Sequence, residues 1–595
     1  MDRRSAIRSA ISHLQAGDLD SAEQIFNEVL RAEPRDVSAL HFTGVIFYQR
    51  KQYTEAIHYI RQAIGNAPNY ADAHNNLGII LQEIGRTDEA ASCYRKAIQL
   101  NPGFDRAYYN LGTVLKEKWQ TDDAVRQYKK AIDLNPHFFE AYNNMGLAFQ
   151  DQGRLDEAES CYRNALQIKP DFAIAHSNLL LLLNYHARHD AQAVFSEHLR
   201  FAEQCAEHFV PAPVSHAHDS TASRRLKIGY VSPDFRRHSV NYFIEPVLAG
   251  HDHRHFEIFC YSDVLTPDNV TKRLQAYADH WRTITGFTDE EAARLITRDS
   301  IDILIDLAGH TGHNRMLVFA RKPAPVAITW LGYPNTTGLT SIDYRIVDSY
   351  TDPPGLTDRF CTEKLVRFPN CFLCYFPDAD SPEVRDLPAA KNGHITFGSF
   401  NYFPKVSGVT ADIWSSILHA VPGSRIIMKS RNFADTSVCE YAKNMFSERG
   451  ISSDRLEFVS IKPSFQEHLD MYNHIDISLD TFPYNGTTTT CESLWMGVPV
   501  VSLSGNTHAS RVSMSILANT GLERLVSRDP QGYITCAVGL AQEIPKLENL
   551  RKTLRNTMVH SALCDAKRFT FNLETRYRQM WSAWCSKQGK KFHPR

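Results

Sequence analysis

Residues 71–104 read ADAHNNLGIILQEIGRTDEAASCYRKAIQLNPGF, and residues 105–138 read DRAYYNLGTVLKEKWQTDDAVRQYKKAIDLNPHF. The two stretches align without a gap, and the stretches at 37–70 and 139–172 align with both. A period of 34 residues predicts pairs of antiparallel helices that stack on their neighbours and share a continuous core. The period decides the fold of the first third of the chain.

Small residues recur at fixed positions of each repeat, with Gly at the eighth position, Ala at the twentieth and twenty-seventh, and Pro at the end. They are Gly44, Gly78, Gly112 and Gly146; Ala56, Ala90, Ala124 and Ala158; Ala63, Ala97, Ala131 and Ala165; Pro68, Pro102, Pro136 and Pro170. The pattern resembles the tetratricopeptide repeat, in which small residues let two helices pack closely and Pro ends the second. A weaker copy around Gly17 and a partial copy from Ala173 would cap the stack.

One asparagine recurs with the same period, at Asn76, Asn110, Asn144 and Asn178. Residues repeated at one position of a solenoid form a line along one face, and an amide both donates and accepts hydrogen bonds. Such a line could bind the backbone of a peptide. The alternative is that these amides join neighbouring turns inside the stack. We favour the peptide-binding interpretation.

Composition restricts the class of protein. A length of 595 residues predicts more than one domain, and a formal net charge of −2 argues against nucleic acid as a partner. The N-terminus lacks the apolar run of a signal peptide, and no long apolar stretch predicts a membrane span. Twelve scattered Cys residues fit a reducing compartment, so a cytoplasmic location is expected. Cys371 and Cys374 are expected to be buried structural thiols, and no metal site is predicted.

Beyond the repeats, short β-branched runs alternate with helical patterns, which predicts parallel sheets covered by helices. The predicted fold class is an α-solenoid followed by an α/β region of two Rossmann-like lobes. The predicted domains are the repeats (1–184), a connecting helix and linker (185–225), a first catalytic lobe (226–385) and a second lobe with C-terminal helices (386–595). In such folds ligands bind at the carboxyl ends of the strands, here between the two lobes.

No Gly-rich dinucleotide or P-loop fingerprint is present, and the phosphate chemistry is predicted after the strand IDISLD (475–480) instead. There the turn Asn485-Gly486 and the run Thr487, Thr488, Thr489 and Thr490 lead into a helix. A turn at a helix start directs free N–H groups and the positive end of the helix dipole outward, and the hydroxyls add donors for a diphosphate. Glu492, one turn inside, is expected to accept hydrogen bonds from ribose hydroxyls. The alternative is a simple N-cap with solvated neighbours.

Three further residues follow predicted strands at their carboxyl ends. Lys405 follows HITFGSF, where its cation would meet a pyrophosphate leaving group. His238 follows LKIGYVS and His310 follows IDILIDL, so both are candidate catalytic residues on the first lobe. For each of the three, a purely structural or surface role is the alternative.

Together, RKPAPVAITWLGYPNTTG (321–338), LDTFPYNGTTTTCESLWMGVPVV (479–501) and HASRV (508–512) resemble the protein O-glycosyltransferases that include the O-GlcNAc transferases and the plant SPINDLY proteins. The resemblance covers nearly the whole chain. It implies a metal-independent GT-B fold and an inverting transfer of sugar to Ser or Thr of proteins held along the repeats. It also leaves a homodimer open.

The resemblance also assigns roles to residues. Lys405 matches the lysine that neutralises the donor diphosphate, and Thr488 and Thr489 match its threonine pair. His468 matches a histidine placed against the nucleotide base, and His238 matches an acceptor-side histidine. The recurring asparagines match the family's asparagine ladder.

The identity of the donor depends on few residues. O-GlcNAc transferases have His-Thr-Thr followed by Asp where this chain has Thr487 and Glu492, and they have Lys where it has Phe465. SPINDLY proteins share the Thr run and the following Cys-Glu-Ser-Leu, and their activity is protein O-fucosylation. The sequence therefore favours GDP-fucose over UDP-GlcNAc as the donor. Two other classes stay open: a repeat scaffold with inactive lobes, and a transferase that acts on a small molecule or glycan.

Overall fold

A computed structural model describes residues 2–209, 221, 223–378 and 380–591. The chain forms two compact units, Met1–Phe149 and Gln150–Arg595. Most of the predicted linker segment 211–225 lies outside the described residues. Each unit is described separately below.

The repeats are helical, as predicted. Helices α1 to α12 are Arg3–Gln15, Leu19–Ala32, Val37–Gln49, Tyr53–Asn66, Ala71–Glu83, Thr87–Leu100, Asp105–Glu117, Thr121–Leu134, Phe139–Asp151, Leu155–Ile168, Ala173–Leu183 and Ala191–Phe201. Each repeat supplies two helices, and the Pro that closes it stands two residues after the second helix ends. This spacing fits a residue that cannot continue a helix.

The recurring glycines make room for an aromatic ring on the partner helix. A Cβ added at Gly78 would lie 2.6 Å from the Tyr94 ring, and one added at Gly112 would lie 2.7 Å from the Tyr128 ring. Both rings are fully buried. The glycine at the eighth position therefore sets how closely the two helices of a repeat approach each other.

Two parallel sheets form the lobes of the second unit. Strands β1 to β7 are Leu226–Ser232, Phe256–Ser262, His280–Thr283, Ile303–Asp306, Val326–Thr329, Tyr344–Asp348 and Lys364–Phe368, and β8 to β13 are Thr396–Ser399, Arg425–Lys429, Leu456–Val459, Ile477–Leu479, Val500–Leu503 and Val526–Ser527. The first sheet has the order β3-β2-β1-β4-β5-β6-β7 and the second β10-β9-β8-β11-β12-β13. The predicted fold, an α-solenoid followed by a GT-B arrangement of two Rossmann-like lobes, is confirmed.

The sequence missed β3, β6, β7 and β13, which lie toward the edges of the two sheets. The strand β3 reads HWRT and β13 reads VS, so neither has an apolar run. Edge strands are covered less completely than central strands, and their sequences carry a weaker apolar signal.

Helices cover both sheets. Helices α13 to α25 are Asn241–Gly250, Asn269–Gln275, Asp289–Asp299, Met316–Ala320, Pro388–Asn392, Gly408–Ala420, Thr436–Ser447, Phe465–Asp470, Thr488–Trp495, Val512–Asn519, Pro530–Gln542, Ile544–Val559 and Ala566–Lys591. No helix among the described residues is long and apolar enough to cross a membrane.

The last helix, α25, packs on the first lobe, although the sequence assigns it to the second. The hydroxyls of Tyr577 and Tyr230 lie 3.1 Å apart, and Glu574 Oε1 lies 3.0 Å from His251 Nδ1. The Phe569 ring stacks near Trp330. The chain therefore crosses back to the first sheet after it has completed the second.

The last helices of the repeat pattern pack on the lobes within the second unit. The Tyr402 hydroxyl donates to Asp151 Oδ1 at 2.7 Å, and Asn432 Nδ2 donates to the Asp151 carbonyl at 2.9 Å. Further along, Asn184 Nδ2 donates to the Tyr333 hydroxyl at 3.0 Å. These contacts explain why the compact units divide at residue 149, while the repeat pattern extends to 184.

Candidate active site

A cavity of about 420 Å³ lies between the two lobes, at the carboxyl ends of their strands, and we name it the central cavity. Its lining residues include the predicted His238, Lys405, Thr487, Thr488 and Thr489. The first lobe supplies His238, and the second lobe supplies the other four. The tertiary structure thus brings together residues that are up to 251 positions apart in the sequence.

Lys405 ends a short 3-10 helix, Phe403–Lys405, that follows β8. Its Nζ donates to the Asn485 carbonyl at 3.2 Å and lies 3.9 Å from the centre of the Tyr484 ring. Burial lowers the pKa of Lys405 from its ordinary 10.5 to about 8, while the nearby Asp480 carboxylate opposes that fall. The structure therefore holds a partly dehydrated cation at the cavity, where attraction to an anion is stronger than in water.

The Thr run surrounds the start of helix α21. Gly486 N donates to Asp480 Oδ1 at 2.7 Å, which fixes the turn before the helix. The Thr487 side chain does not cap the helix, so the alternative of a simple N-cap is not what the structure contains. Thr489 Oγ1 donates to Asn401 Oδ1 at 3.0 Å. The helix start, with its positive dipole end, therefore adjoins the same cavity as Lys405.

Thr490 occupies a different environment from its neighbours. Its Oγ1 lies 2.9 Å from Ser513 Oγ, and the side chain is buried between α21 and α22. It does not line the central cavity. Thr490 was predicted as a donor ligand, and its placement assigns it to packing between two helices.

A second cavity of about 440 Å³, the side cavity, shares Phe400, Asn401 and Tyr402 with the central cavity. His468 and Phe465 line it, and their rings stack with centres 5.6 Å apart and an angle of 24°. Stacked flat rings provide a surface on which a nucleotide base can lie. The position of His468 fits the base-binding role that the resemblance implies.

Glu492 lies behind His468 and lines neither cavity. Its Oε2 lies 2.9 Å from His468 Nε2 and accepts from the Tyr472 hydroxyl at 3.2 Å, while Lys429 Nζ contacts His468 Nδ1. Burial raises the pKa of Glu492 and lowers that of Lys429. Bonds from Glu492 to ribose hydroxyls stay a prediction, and in the structure its Oε2 orients His468.

The two predicted histidines of the first lobe differ in their surroundings. His238 lines the central cavity, and its Nδ1 accepts from Val240 N at 3.3 Å and lies 3.5 Å from Asp234 Oδ2. His310 is buried, with Nδ1 3.1 Å from Ser177 Oγ and Nε2 2.8 Å from the Thr337 carbonyl. Both ring nitrogens of His310 are used, so its predicted catalytic role is corrected to a structural one.

The recurring asparagines of the first unit bond to the preceding repeat. The Nδ2 atoms of Asn110 and Asn144 donate to Asn75 Oδ1 at 3.0 Å and to the Tyr109 hydroxyl at 2.9 Å. Asn76 Nδ2 lies 2.8 Å from His41 Nε2. Each of these partners stands at the fifth position of the repeat before. The structure thus contains the alternative that the sequence analysis disfavoured, in which the amides join neighbouring repeats. The fourth asparagine, Asn178, lies on α11 of the second unit.

Several lining residues were not singled out from the sequence. They are Tyr185, Tyr402 and Tyr484 around Lys405, Lys429 beside His468, and His508. Lys429 carried a usable signal, because it ends the apolar strand RIIMK at its carboxyl end. No sequence signal marked Tyr185, since it follows helix α11 of the repeat pattern. Only the tertiary structure places it at the central cavity.

Comparison with protein-family models matches residues 170–378 and 384–573 to "Glycosyl transferase family 41". Tetratricopeptide repeat models match residues 7–71, 71–104 and 139–172. The family match covers more than half of the chain and includes both lobes.

The predicted free thiols Cys371 and Cys374 are confirmed as buried within that region.

Among curated proteins, the chain is similar to a Petunia hybrida protein named "Probable UDP-N-acetylglucosamine--peptide N-acetylglucosaminyltransferase SPINDLY", with 45% identity over 61% of this chain and 39% of that protein. It is also similar to an Arabidopsis thaliana protein of the same name ending in SEC, with 32% identity over 61% of this chain and 38% of that protein. The matched part spans about two fifths of the length of these relatives. Among solved structures, a Thermobaculum terrenum O-GlcNAc transferase mutant is 36% identical over 87% of this chain and 98% of that chain, with a TM-score of 0.82.

Proposed function

Since the chain belongs to glycosyltransferase family 41, we propose that it transfers a sugar from a nucleoside diphosphate sugar to Ser and Thr hydroxyls of proteins, with inversion at the anomeric carbon. One observation carries the proposal. Lys405, the start of helix α21 and the Thr488 and Thr489 side chains adjoin one cavity between the lobes. These are the groups that a departing diphosphate requires.

The proposed chemistry depends on the charge of the leaving group. As the bond between the anomeric carbon and the diphosphate breaks, negative charge grows on the phosphate oxygens. Lys405, the N–H groups at the start of α21 and the threonine hydroxyls are positioned to stabilise that charge. Because Lys405 already supplies a positive charge there, we propose that transfer needs no metal ion.

Two donors compete, each with its own support. Thr487, Phe465 and Glu492 distinguish the chain from O-GlcNAc transferases and favour GDP-fucose. The printed names of the curated relatives, and the O-GlcNAc transferase that the chain resembles in structure, favour UDP-GlcNAc. We keep GDP-fucose as the proposed donor and UDP-GlcNAc as the second candidate. The stacked His468 and Phe465 could accept either base.

For the acceptor we propose proteins that bind along the repeats. Asn76, Asn110 and Asn144 are half-buried and remain the proposed contacts, although their Nδ2 atoms already bond within the stack. A peptide backbone would then donate hydrogen bonds mainly to the side-chain carbonyl oxygens of these asparagines.

The free thiols of the described residues are compatible with a cytoplasmic location, which we also propose.

The test uses the full chain with isotope-labelled GDP-fucose or UDP-GlcNAc and a mixture of cell proteins. Labelled sugar on Ser or Thr residues, mapped by tandem mass spectrometry, is the expected result. Lys405→Ala is the catalytic control, and its product formation should fall at least about 10²-fold under the same conditions. Absence of transfer from both donors by the wild-type chain would favour an inactive scaffold. Transfer to glycans or small molecules alone would reassign the acceptor.

The donor is tested by thermal shift with GDP, UDP, GDP-fucose and UDP-GlcNAc side by side, since a ligand that binds only the folded chain raises its melting temperature. We expect the guanine compounds to give the larger shift. Stabilisation by the uracil compounds alone would replace GDP-fucose with UDP-GlcNAc. His468→Ala should reduce the shift for whichever nucleotide binds.

A further inference from the structure

His508 is the first residue of the HASRV stretch, and the proposed reaction has so far given it no role. It begins a short 3-10 helix, His508–Ser510, that follows β12, and Thr507 caps that helix through its side chain. The imidazole is only 5% exposed. The side chain nevertheless lines the central cavity, which also contains Lys405 and Thr488.

A carboxylate from the other lobe fixes the ring. His508 Nδ1 lies 2.5 Å from Asp352 Oδ2, although the two residues are 156 positions apart. Asp352 is fully buried, and its other oxygen accepts from Thr357 Oγ1 at 2.8 Å and lies 3.8 Å from Arg345 Nη1. The carboxylate can accept but not donate, so it holds the proton of the imidazole on Nδ1 and leaves the lone pair on Nε2.

The second nitrogen of this ring is free to act. Within the described part of the chain, Nε2 of His508 makes no hydrogen bond, whereas both nitrogens of His310 and of His251 are engaged. Burial lowers the pKa of His508, although Asp352 opposes that fall. Burial would raise the pKa of Asp352, but His508 and Arg345 hold it below its ordinary value. The pair is therefore a neutral imidazole beside an ionised carboxylate.

His508 also lines a second cavity. A cavity of about 500 Å³, the outer cavity, is lined by Asn335, Arg345, Phe360 and Pro483 among others, and His508 lines it as well as the central cavity. The outer cavity contains none of the proposed diphosphate ligands. An acceptor side chain that enters from the outer cavity would pass His508 before it reaches the donor side.

We propose that His508, oriented by Asp352, is the general base of the transfer reaction, and that the outer cavity admits the acceptor. In this step the acceptor hydroxyl gives its proton to His508 Nε2, and its oxygen forms a bond to the anomeric carbon of the sugar. The bond from that carbon to the diphosphate oxygen breaks, and the nucleoside diphosphate leaves with the electron pair. The Asp352 carboxylate stabilises the imidazolium that forms. The inference deepens the proposed function and depends on it.

The geometry distinguishes His508 from the other histidine of the central cavity. His238 lies 3.5 Å from Asp234, beyond a good hydrogen bond, and its side chain is 38% exposed. Its Nδ1 accepts from the Val240 backbone instead. The buried Asp234 makes no hydrogen bond to His238, and the Val240 N–H occupies the Nδ1 lone pair and leaves the proton on Nε2, so we assign proton transfer to His508.

The experiment compares His508→Ala, His508→Asn and Asp352→Asn with the wild-type chain under saturating donor. We expect kcat to fall about 10²-fold to 10⁴-fold in the two His508 variants, and about tenfold or more in Asp352→Asn, which loses the tautomer control. The Kd for the nucleoside diphosphate should change less than about threefold, since His508 is not a diphosphate ligand. Added imidazole should restore part of the activity of His508→Ala and should not affect Lys405→Ala.

The control is His253→Gln, because His253 also pairs with a carboxylate, Asp279 Oδ2 at 2.9 Å, but lies 42% exposed on the surface. It should keep wild-type kcat. An active wild-type chain whose His508 variants keep kcat within about threefold, or are not rescued by imidazole, overturns the base assignment alone. Loss of diphosphate binding in both His508 variants makes the residue structural and also overturns it. A wild-type chain without transfer removes the proposed function, and this inference with it.

Discussion

The polar side chains of the repeats and those of the cleft between the lobes use their hydrogen-bonding capacity differently. In the first unit, Asn110 and Asn144 each donate to a side chain of the preceding repeat. In the cleft, the Lys405 ammonium donates one hydrogen bond, to the Asn485 carbonyl, and lies over the Tyr484 ring. His508 uses only its Nδ1, which lies beside Asp352. The amide donors of the repeats are bonded within the stack, whereas the polar groups of the cleft keep part of their hydrogen-bonding capacity unused.

The difference has a physical consequence. A buried polar group with all partners present stabilises the fold modestly, whereas one with unused capacity costs free energy until a ligand completes it. The repeats therefore gain rigidity from their amides. The cleft keeps donors and acceptors oriented for a substrate, as preorganised active sites do. Four measurements test this contrast, beginning with the largest expected effect.

Replacing Lys405 should have the largest effect. Lys405→Ala removes the cation beside the proposed diphosphate, and loss of one such group lowers kcat about 10²-fold to 10³-fold. Steady-state kinetics with the donor varied should show a much smaller change in KM, because the charge develops in the transition state. Lys443→Ala, at an exposed lysine of α19, is the matched control. Wild-type turnover in Lys405→Ala would show that the Lys405 ammonium does not stabilise the departing diphosphate.

In the repeats, the largest effect is expected on the free energy of unfolding, when a glycine between two helices is replaced. Gly112→Ala places a Cβ 2.7 Å from the Tyr128 ring, and such overpacking lowers the free energy of unfolding by about 1–3 kcal/mol. Gly65→Ala is the control, since nothing lies within 4 Å of the added Cβ at that helical glycine. It should be neutral or stabilising by up to about 1 kcal/mol. Thermal denaturation of both variants checks the contrast, and equal melting temperatures would contradict it.

The pH dependence reports the state of Lys405 in the free enzyme. Its pKa is lowered to about 8, so the cation is present below that pH and is lost as the pH rises through it. We expect kcat/KM to fall about tenfold per pH unit above pH 8. In Lys405→Arg the guanidinium stays charged, so whatever activity remains should lack this decline. An unchanged decline in Lys405→Arg would assign it to another group.

The smallest effect is expected at the recurring asparagines. Asn110→Ala removes the bond to the buried Asn75, which should lower local stability by about 1 kcal/mol. Native-state hydrogen exchange of amides in α5 and α7 measures this change, with exposed Asn66→Ala as the control. If exchange is unchanged and KM for an acceptor protein rises instead, the amides of the repeats are also reserved for a ligand.

Much of this arrangement was readable from the sequence. The period of 34 residues fixed the helices of the repeats, because small residues at constant positions are a local requirement of helix pairs. The strands of both sheet centres were found from their apolar runs, and Lys405 and the Thr run followed from their place after those strands. Edge strands such as β3 were missed for lack of such runs.

Amino-acid order alone determined the solenoid, the two parallel-sheet lobes and the segments at the carboxyl ends of the strands, because these depend on residues close together in the chain. Only the tertiary structure decided that His310 uses both ring nitrogens, that Glu492 orients His468, and that Asp352 meets His508 across 156 positions. The sequence shows which side chains follow the strands. Whether a buried polar atom is satisfied depends on partners from distant segments, which no local pattern specifies.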